Sequence, residues 1–137
     1  MILVDSCVVI DVLENDPKWA DWSQRQLESA AVKHPLAINA VIYAEISVDF
    51  ARIEQMDAML KRIQITVEDM PREALFLAGK AFQRYKARGG TRTSTLPDFF
   101  IGAHAAVLGI PLLTRDARRY TDYFPNLELL VPEKESE

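Results

Sequence analysis

The stretch Ile2-Leu3-Val4-Asp5-Ser6 decides the fold class, because a short apolar run ends abruptly in two polar residues. A continuous run of aliphatic, mostly β-branched residues predicts a strand that is buried on both faces, as in a parallel sheet. The apolar stretch 7–13 follows at once and predicts a short helix. Asp5 is therefore expected at the carboxyl end of the first strand, where parallel α/β sheets bind their ligands.

Short apolar runs alternate with longer helical patterns along the rest of the chain. Strands are predicted at 36–38, 65–67, 112–113 and 127–131. Helices are predicted at 17–33, 40–52, 54–63, 71–88 and 96–108, and a short helical or irregular segment follows residue 116. Strands that alternate with helices favour an α/β fold, so we expect a three-layer α/β/α arrangement around a central, mainly parallel sheet.

Local signals set the ends of several of these helices. Asp16 followed by Pro17 is typical of an N-cap and a first helical position, and Asn39 is placed to cap the next helix. Gly89-Gly90 ends the helix that precedes it. The helix 96–108 is apolar nearly all round, which predicts a central, buried position.

The composition indicates one globular domain. Of 137 residues, 49% are hydrophobic and 26% are charged, which excludes a disordered, collagen-like or coiled-coil chain. We assign residues 1–132 to the domain and residues 133–137 to a charged C-terminal tail. The single cysteine, Cys7, excludes a disulfide framework and a multi-cysteine zinc site. No signal peptide and no run of membrane-spanning length is found, so a cytoplasmic location without membrane contact is expected.

Four carboxylates stand where burial is expected and polar groups are costly. Asp5 and Asp116 follow strands, Glu45 interrupts the apolar run 40–46, and Asp98 opens the most hydrophobic helix. Their mutual repulsion would be severe at one site unless a cation neutralised it. Carboxylate oxygens are hard ligands that suit Mg²⁺ or Mn²⁺. The four acids are therefore candidate ligands of such a metal ion.

Each carboxylate also has a purely structural interpretation. An Asp after a strand often makes a turn or caps the next helix, which applies to Asp5 and Asp116. Asp98 lies three residues after Thr95, close to a capping-box spacing. Glu45 has no capping duty, although a solvated helix edge remains an alternative for it. A buried thiol is favoured for Cys7, and His104 is read as a core or interface histidine.

Basic residues are concentrated in one part of an acidic protein of net charge −4. No acidic residue occurs between positions 74 and 97, whereas this stretch contains five basic ones. Basic residues near a carboxylate cluster suit a polyanionic substrate that is brought to a metal ion, although a solvated helix face is the alternative. The candidate residues for binding such a substrate are Arg84, Lys86, Arg88, Arg92 and Arg115.

The ordered set of segments 4–6, 43–47, 96–105 and 112–120 resembles the PIN-domain ribonucleases, and in particular the VapC-type toxins of toxin–antitoxin pairs. The stretch 123–132 is also similar to the family, so the resemblance covers nearly the whole chain. It implies a PIN-like nuclease domain over residues 1–132. Many members carry Asn at the position of Cys7, which is the one departure.

The resemblance also implies roles for individual residues and partners. Asp5, Glu45, Asp98 and Asp116 match the acidic quartet of the family, which holds Mg²⁺ or Mn²⁺. Ser6 and Thr114 match supporting hydroxyl residues. Asp5, Asp98 and Asp116 would be the principal ligands, and Glu45 would ligate the ion or orient the attacking water. An RNA substrate, a homodimer and a VapB-type antitoxin are implied as partners.

These observations lead to a metal-dependent endoribonuclease as the expected function. One alternative is an aspartyl-phosphate phosphatase with Asp5 as nucleophile. Such enzymes usually carry a second Asp two residues further on, and Cys7 stands there in this chain. The other alternative is a catalytically inert PIN-like binding module, which the presence of all four acids argues against.

Overall fold

A five-stranded, all-parallel sheet forms the centre of the protein, in a computed structural model that describes residues 1–92 and 95–132. The predicted tail 133–137 and two residues of the predicted polar loop, 93 and 94, lie outside the described residues. The strands are β1 (Ile2–Val4), β2 (Leu36–Ile38), β3 (Ile65–Val67), β4 (Leu112–Leu113) and β5 (Leu129–Leu130). Their order in the sheet is β3-β2-β1-β4-β5, which confirms the predicted α/β class and makes the sheet parallel throughout.

The strand order places a topological switch point between β1 and β4. From β1 the chain moves outward through β2 and β3, and it then returns to add β4 and β5 on the opposite side. Val4 pairs with Leu113, and the amide of Asp5 donates to the carbonyl of Leu113 at 2.9 Å. The residues that follow β1 and β4 therefore lie side by side, at the position where open α/β sheets bind ligands.

Helices flank this sheet and bury its three central strands, β2, β1 and β4, as their continuously apolar residues require. They are α1 (Ser6–Leu13), α2 (Ala20–Lys33), α3 (Ala40–Ser47), α4 (Ile53–Arg62), α5 (Arg72–Ala87), α6 (Leu96–Leu108) and α7 (Arg118–Thr121). Asn39 caps α3 as predicted, because its Oδ1 accepts from the amide of Ile42 at 2.9 Å. Its Nδ2 donates to Nδ1 of His104, which is fully buried as expected of a core histidine.

Helix α6 has the central, buried position that its apolar composition predicts. Gly102 permits the contact between this helix and the chain after β4. A Cβ at that position would lie 2.5 Å from the ring of Phe124 and 3.1 Å from that of Tyr120. At its C-terminal end, Gly109 adopts a left-handed conformation with φ of 65°, which closes the helix.

Three predicted elements have wrong bounds. Helix α2 begins at Ala20 rather than Pro17, because Asp16 accepts from the amides of Lys18 and Trp19 and fixes a turn there. A turn begins directly after Ser47, so helix α3 ends there rather than near residue 52. The last strand spans only 129–130 of the predicted 127–131, because its partner β4 has two residues to pair with. Within the described residues, no helix is long and apolar enough to cross a membrane.

Candidate active site

Asp5 is the most buried carboxylate at the switch point, with a relative exposure of 1%. Its Oδ1 accepts from the amide of Ser6 at 2.8 Å, so Asp5 also caps α1, as its structural interpretation predicts. Its Oδ2 accepts from the hydroxyls of Thr114 at 2.8 Å and Tyr120 at 2.7 Å. All three donors are neutral, so hydrogen bonds hold the carboxylate firmly in place without a charged group donating to it.

Thr114 links the two halves of this edge. Its hydroxyl gives its proton to Asp5, and its oxygen accepts from the amide of Asp116 at 3.2 Å. The thiol of Cys7 lies 3.7 Å from the same oxygen and is therefore the donor in that contact. Burial, followed by the charge of Asp5, raises the pKa of the Cys7 thiol to about 11. Cys7 is thus a neutral, half-buried thiol, close to the buried thiol that we expected.

Glu45 reaches the same place from α3. Ser6 donates its hydroxyl to Oε1 of Glu45 at 3.0 Å, so the residue after Asp5 fixes the second acid. Burial raises the pKa of Glu45, and the charge of Asp5 raises it further, against the opposing effects of Ser6 and Arg119. The solvated helix edge therefore does not describe Glu45, which is half-buried and faces other acidic groups.

Asp98 enters the site from the first turn of α6, and its side chain is 16% exposed. Burial raises its pKa from 3.8 to about 6, and the charges of Asp5, Glu45 and Asp116 act in the same direction. The four acids are thus brought within electrostatic reach of one another. In the part of the chain that the structure describes, α6 has no side-chain cap, so the capping interpretation of Asp98 has no support.

Asp116 and Arg119 complete the cluster at the surface. Arg119 Nε lies 3.1 Å from Asp116 Oδ2, and its Nη1 lies 3.6 Å from Asp98 Oδ1. Asp116 Oδ1 also accepts from the amide of Arg118, as its capping interpretation predicts. Sequence reasoning missed Tyr120 and Arg119 as site residues. The sequence pointed to them only by their spacing, because Arg119 follows Asp116 by three residues and Tyr120 follows it by four. This spacing places both on the next turn of the chain.

These residue types fit a hard divalent cation, since four carboxylates from four different segments converge with two hydroxyls beside them. The carboxylates of these four acids are not arranged as a coordination shell. Among the described residues, no three His, Cys, Asp or Glu side chains lie close enough together to hold an ion. Arg119 engages two of the four acids, and Thr114 and Tyr120 engage a third.

The predicted RNA-binding residues fall into two groups. Arg84, Lys86, Arg88 and Arg92 are exposed at and beyond the C-terminal end of α5, which packs against the helix that carries Asp98. Within that group, the guanidinium of Arg88 lies over the ring of Tyr123 at 5.4 Å. Arg115 is different, because its guanidinium donates to both carboxylate oxygens of the buried Asp11, at 2.9 and 3.2 Å.

An all-parallel sheet whose switch point gathers four carboxylates defines the class of protein, and sequence comparison supplies the family. The model of the PIN domain matches residues 2–123, so the chain belongs to the PIN domain family. No curated protein sequence is a significant match.

Solved structures share the fold over almost the whole chain. A chain of VapBC2 from Rickettsia felis, bound to a DNA fragment from its promoter, superposes with a TM-score of 0.72 at 21% identity, covering 96% of this chain and 98% of that one. A toxin–antitoxin complex from Klebsiella pneumoniae gives 0.67 at 20% identity, covering 98% and 99%. DNA-bound VapBC from Salmonella typhimurium gives 0.69 at 16% identity, covering 95% and 96%.

Proposed function

We propose that this protein is a metal-dependent endoribonuclease that acts as the toxin of a VapBC-type toxin–antitoxin pair. The observation that carries the proposal is the convergence of Asp5, Glu45, Asp98 and Asp116 at the carboxyl edge of the sheet in a PIN domain. Asp5 and Asp116 also accept capping hydrogen bonds from Ser6 and Arg118, but those roles do not explain why four acids lie together, an arrangement that costs free energy. Binding of a hard cation and a polyanionic substrate would explain why the four acids lie together.

Mg²⁺ or Mn²⁺ would be held by Asp5, Asp98 and Asp116, with Glu45 as a further ligand or as the group that orients water. A bound divalent cation supplies water activation near neutral pH and stabilises the charge that develops on phosphoryl oxygens. Asp5 keeps one lone pair of Oδ1 after its three hydrogen bonds, and it presents that pair from a fixed position.

The other side chains would have separate roles in orienting water and in binding the RNA. Glu45 uses Oε1 for the Ser6 hydroxyl, which leaves Oε2 to orient the attacking water. Its raised pKa makes it a better proton acceptor than an ordinary carboxylate. Arg84, Lys86, Arg88 and Arg92 are exposed and would bind backbone phosphates of the RNA. Arg115 would contribute less to RNA binding, because Asp11 already engages its guanidinium.

The partners follow from the same proposal. Structures that share this fold are described as VapBC and toxin–antitoxin complexes. A VapB-type antitoxin that blocks the site, a homodimer and a cytoplasmic location are therefore proposed for this chain as well. The phosphatase alternative is not favoured, because two hydroxyl donors occupy Oδ2 of Asp5 and Cys7 stands where such enzymes usually carry a second Asp.

The decisive experiment is sequencing of RNA 5′ ends after brief expression of the protein, beside an Asp5→Asn control. Cleavage at a defined RNA site that disappears in the variant would establish both substrate class and chemistry. The purified protein should cleave the same RNA with Mg²⁺ or Mn²⁺ and not with excess EDTA. Metal-independent cleavage, or cleavage that persists in Asp5→Asn, would contradict the proposal.

Thermal melting tests the metal site without an activity assay. At about ten times its Kd, one bound ion should add about 1.4 kcal/mol to the free energy of unfolding, a rise in Tm of roughly 5 °C for a domain of this size. Asp116→Asn should show a much smaller rise. Monovalent salt at the same ionic strength serves as the control for screening.

A further inference from the structure

Arg119 lies where the four acids would meet a cation. It stands in α7, three residues after Asp116, and it pairs with Asp116 at 3.1 Å and Asp98 at 3.6 Å. In the part of the chain that the structure describes, these are two of the three ion pairs formed by side chains. The third joins Arg115 to Asp11 and involves none of the four acids.

Arg119 is also the main source of compensating charge in this site. Asp5 receives only neutral donors, and Glu45 receives the hydroxyl of Ser6. Arg119 is the positive group that opposes the upward shifts in the pKa of both Asp98 and Glu45. Four carboxylates are thus balanced by one guanidinium.

The ion pair between Arg119 and Asp116 is accessible to water and can separate readily. The side chain of Arg119 is 44% exposed and that of Asp116 is 39% exposed, so water can solvate both groups when they separate. Exposed ion pairs are individually weak. By contrast, Asp11 is 2% exposed and pairs with Arg115 through two hydrogen bonds, which fixes that arginine in the fold.

We infer that Arg119 is the internal counter-ion of the acidic site, and that it must leave Asp98 and Asp116 when a divalent cation binds there. This inference rests on the proposed function, because it concerns the same metal site. A guanidinium and a divalent cation repel each other and need the same carboxylate oxygens. Arg119 therefore lowers the affinity for the metal ion, and in the metal-free protein it holds the acids together.

The test is titration calorimetry of the whole chain with Mg²⁺ and Mn²⁺ at fixed pH and ionic strength. Arg119→Gln should bind the metal about three- to tenfold more tightly than wild type, the size expected from removal of two partly exposed ion pairs. Arg118→Gln is the matched control. It removes the same charge from the same short helix, and within the described residues Arg118 forms no ion pair. Its affinity should stay within about twofold of wild type.

The outcomes separate this inference from the proposed function. Metal binding by wild type with equal or weaker binding by Arg119→Gln overturns the inference and leaves the metal site intact. Equal gains in both Gln variants also overturn it, since they indicate only long-range charge. No binding by wild type overturns the metal site and the inference together.

A second variant keeps the test informative if Arg119→Gln folds poorly. Arg119→Lys retains the charge but replaces the two-pronged guanidinium by one ammonium group. Its metal affinity should lie between those of wild type and Arg119→Gln. The Tm in EDTA gives a readout without metal, and it should fall in Arg119→Gln but not in Arg118→Gln. An unchanged Tm in Arg119→Gln would show that Arg119 does not hold the acids together.

Discussion

Two buried aspartates, six residues apart in the same β1–α1 segment, have opposite surroundings. Asp11 is 2% exposed, accepts from the hydroxyl of Ser23 at 2.9 Å and pairs with the guanidinium of Arg115. Asp5 is 1% exposed and receives only neutral donors. A buried carboxylate with its own cation belongs to the framework of the fold. A buried carboxylate whose donors are all neutral, beside further acids, is where the proposed function places an external cation.

The largest expected effect tests the chemical half of this comparison. Asp5→Asn should lower RNA cleavage by at least about a hundredfold, since even the partners of metal ligands commonly account for 10- to 100-fold. Asp98→Asn should have a similar effect. Asp11→Asn should leave the cleavage rate of folded protein within about threefold of wild type, because the side-chain partners of Asp11 are Ser23 and Arg115 and none of the four acids. Equal losses in Asp5→Asn and Asp11→Asn, measured on protein of equal folded fraction, would remove the distinction between them.

The structural half is tested by Arg115→Met, which leaves Asp11 buried without a charge partner. We expect the free energy of unfolding in urea to fall by about 3 kcal/mol, the loss typical of breaking a buried pair from one side. Arg25→Met, on an exposed face of α2, is the control and should change stability by less than about 0.5 kcal/mol. A small loss in Arg115→Met would mean that Asp11 tolerates burial without its arginine.

The sequence predicted the framework of the fold well. Continuous apolar runs such as 2–4 and 36–38 mark buried parallel strands, and Asn39 capped its helix as expected. Helix ends were less predictable where a local polar group competes with the helix. Asp16 has the residue type of an N-cap, yet its side chain closes a turn before α2 rather than starting the helix at Pro17.

The acidic residues of the candidate site could be predicted from the sequence, but the contacts that these residues make could not. The four carboxylates stood out as polar groups among apolar neighbours. Asp11 has the same sequence signature as Glu45, an acid within an apolar helix, and only the fold shows that Arg115 neutralises it. Contacts over a hundred residues apart, such as Tyr120 with Asp5, depend on β1 and β4 being neighbours, which no local pattern contains.

The burial of Asp98 beside the other acids should appear in the pH dependence of stability. The pKa of Asp98 is raised to about 6, so between about pH 4 and pH 6 the folded protein binds a proton that the unfolded chain releases. The contribution of Asp98 to the stability of the metal-free protein should therefore fall by about 2 kcal/mol as pH rises through this window. Asp98→Asn should abolish most of that loss. Asp49→Asn, at an exposed position, is the control and should not change it. Urea unfolding in EDTA at about pH 4 and pH 7.5 measures it.

Added metal gives this pH test a second arm. A divalent cation binds the ionised carboxylates, so Mg²⁺ or Mn²⁺ should restore stability near neutral pH and have little effect at the acidic end. Wild type should respond in this way, and Asp98→Asn should not. If the difference in stability in EDTA between wild type and Asp98→Asn did not change between about pH 4 and pH 7.5, the direction of the Asp98 shift would be contradicted.

The smallest expected effect compares two tyrosine–aspartate hydrogen bonds of equal length. Tyr120 donates to Asp5 at 2.7 Å in the buried site, and Tyr43 donates to Asp57 at 2.7 Å on the surface. Tyr120→Phe should cost about 1.5 kcal/mol of stability, since it removes a donor from a buried carboxylate that has no cation to replace it. Tyr43→Phe should cost less than about 0.5 kcal/mol, because water takes the place of the lost hydroxyl. If metal binding compensates the charge of Asp5, the loss in Tyr120→Phe should shrink when saturating Mn²⁺ is present, whereas that in Tyr43→Phe should not change. Equal losses in the two variants would show that the neutral donors around Asp5 matter no more than those of an exposed pair.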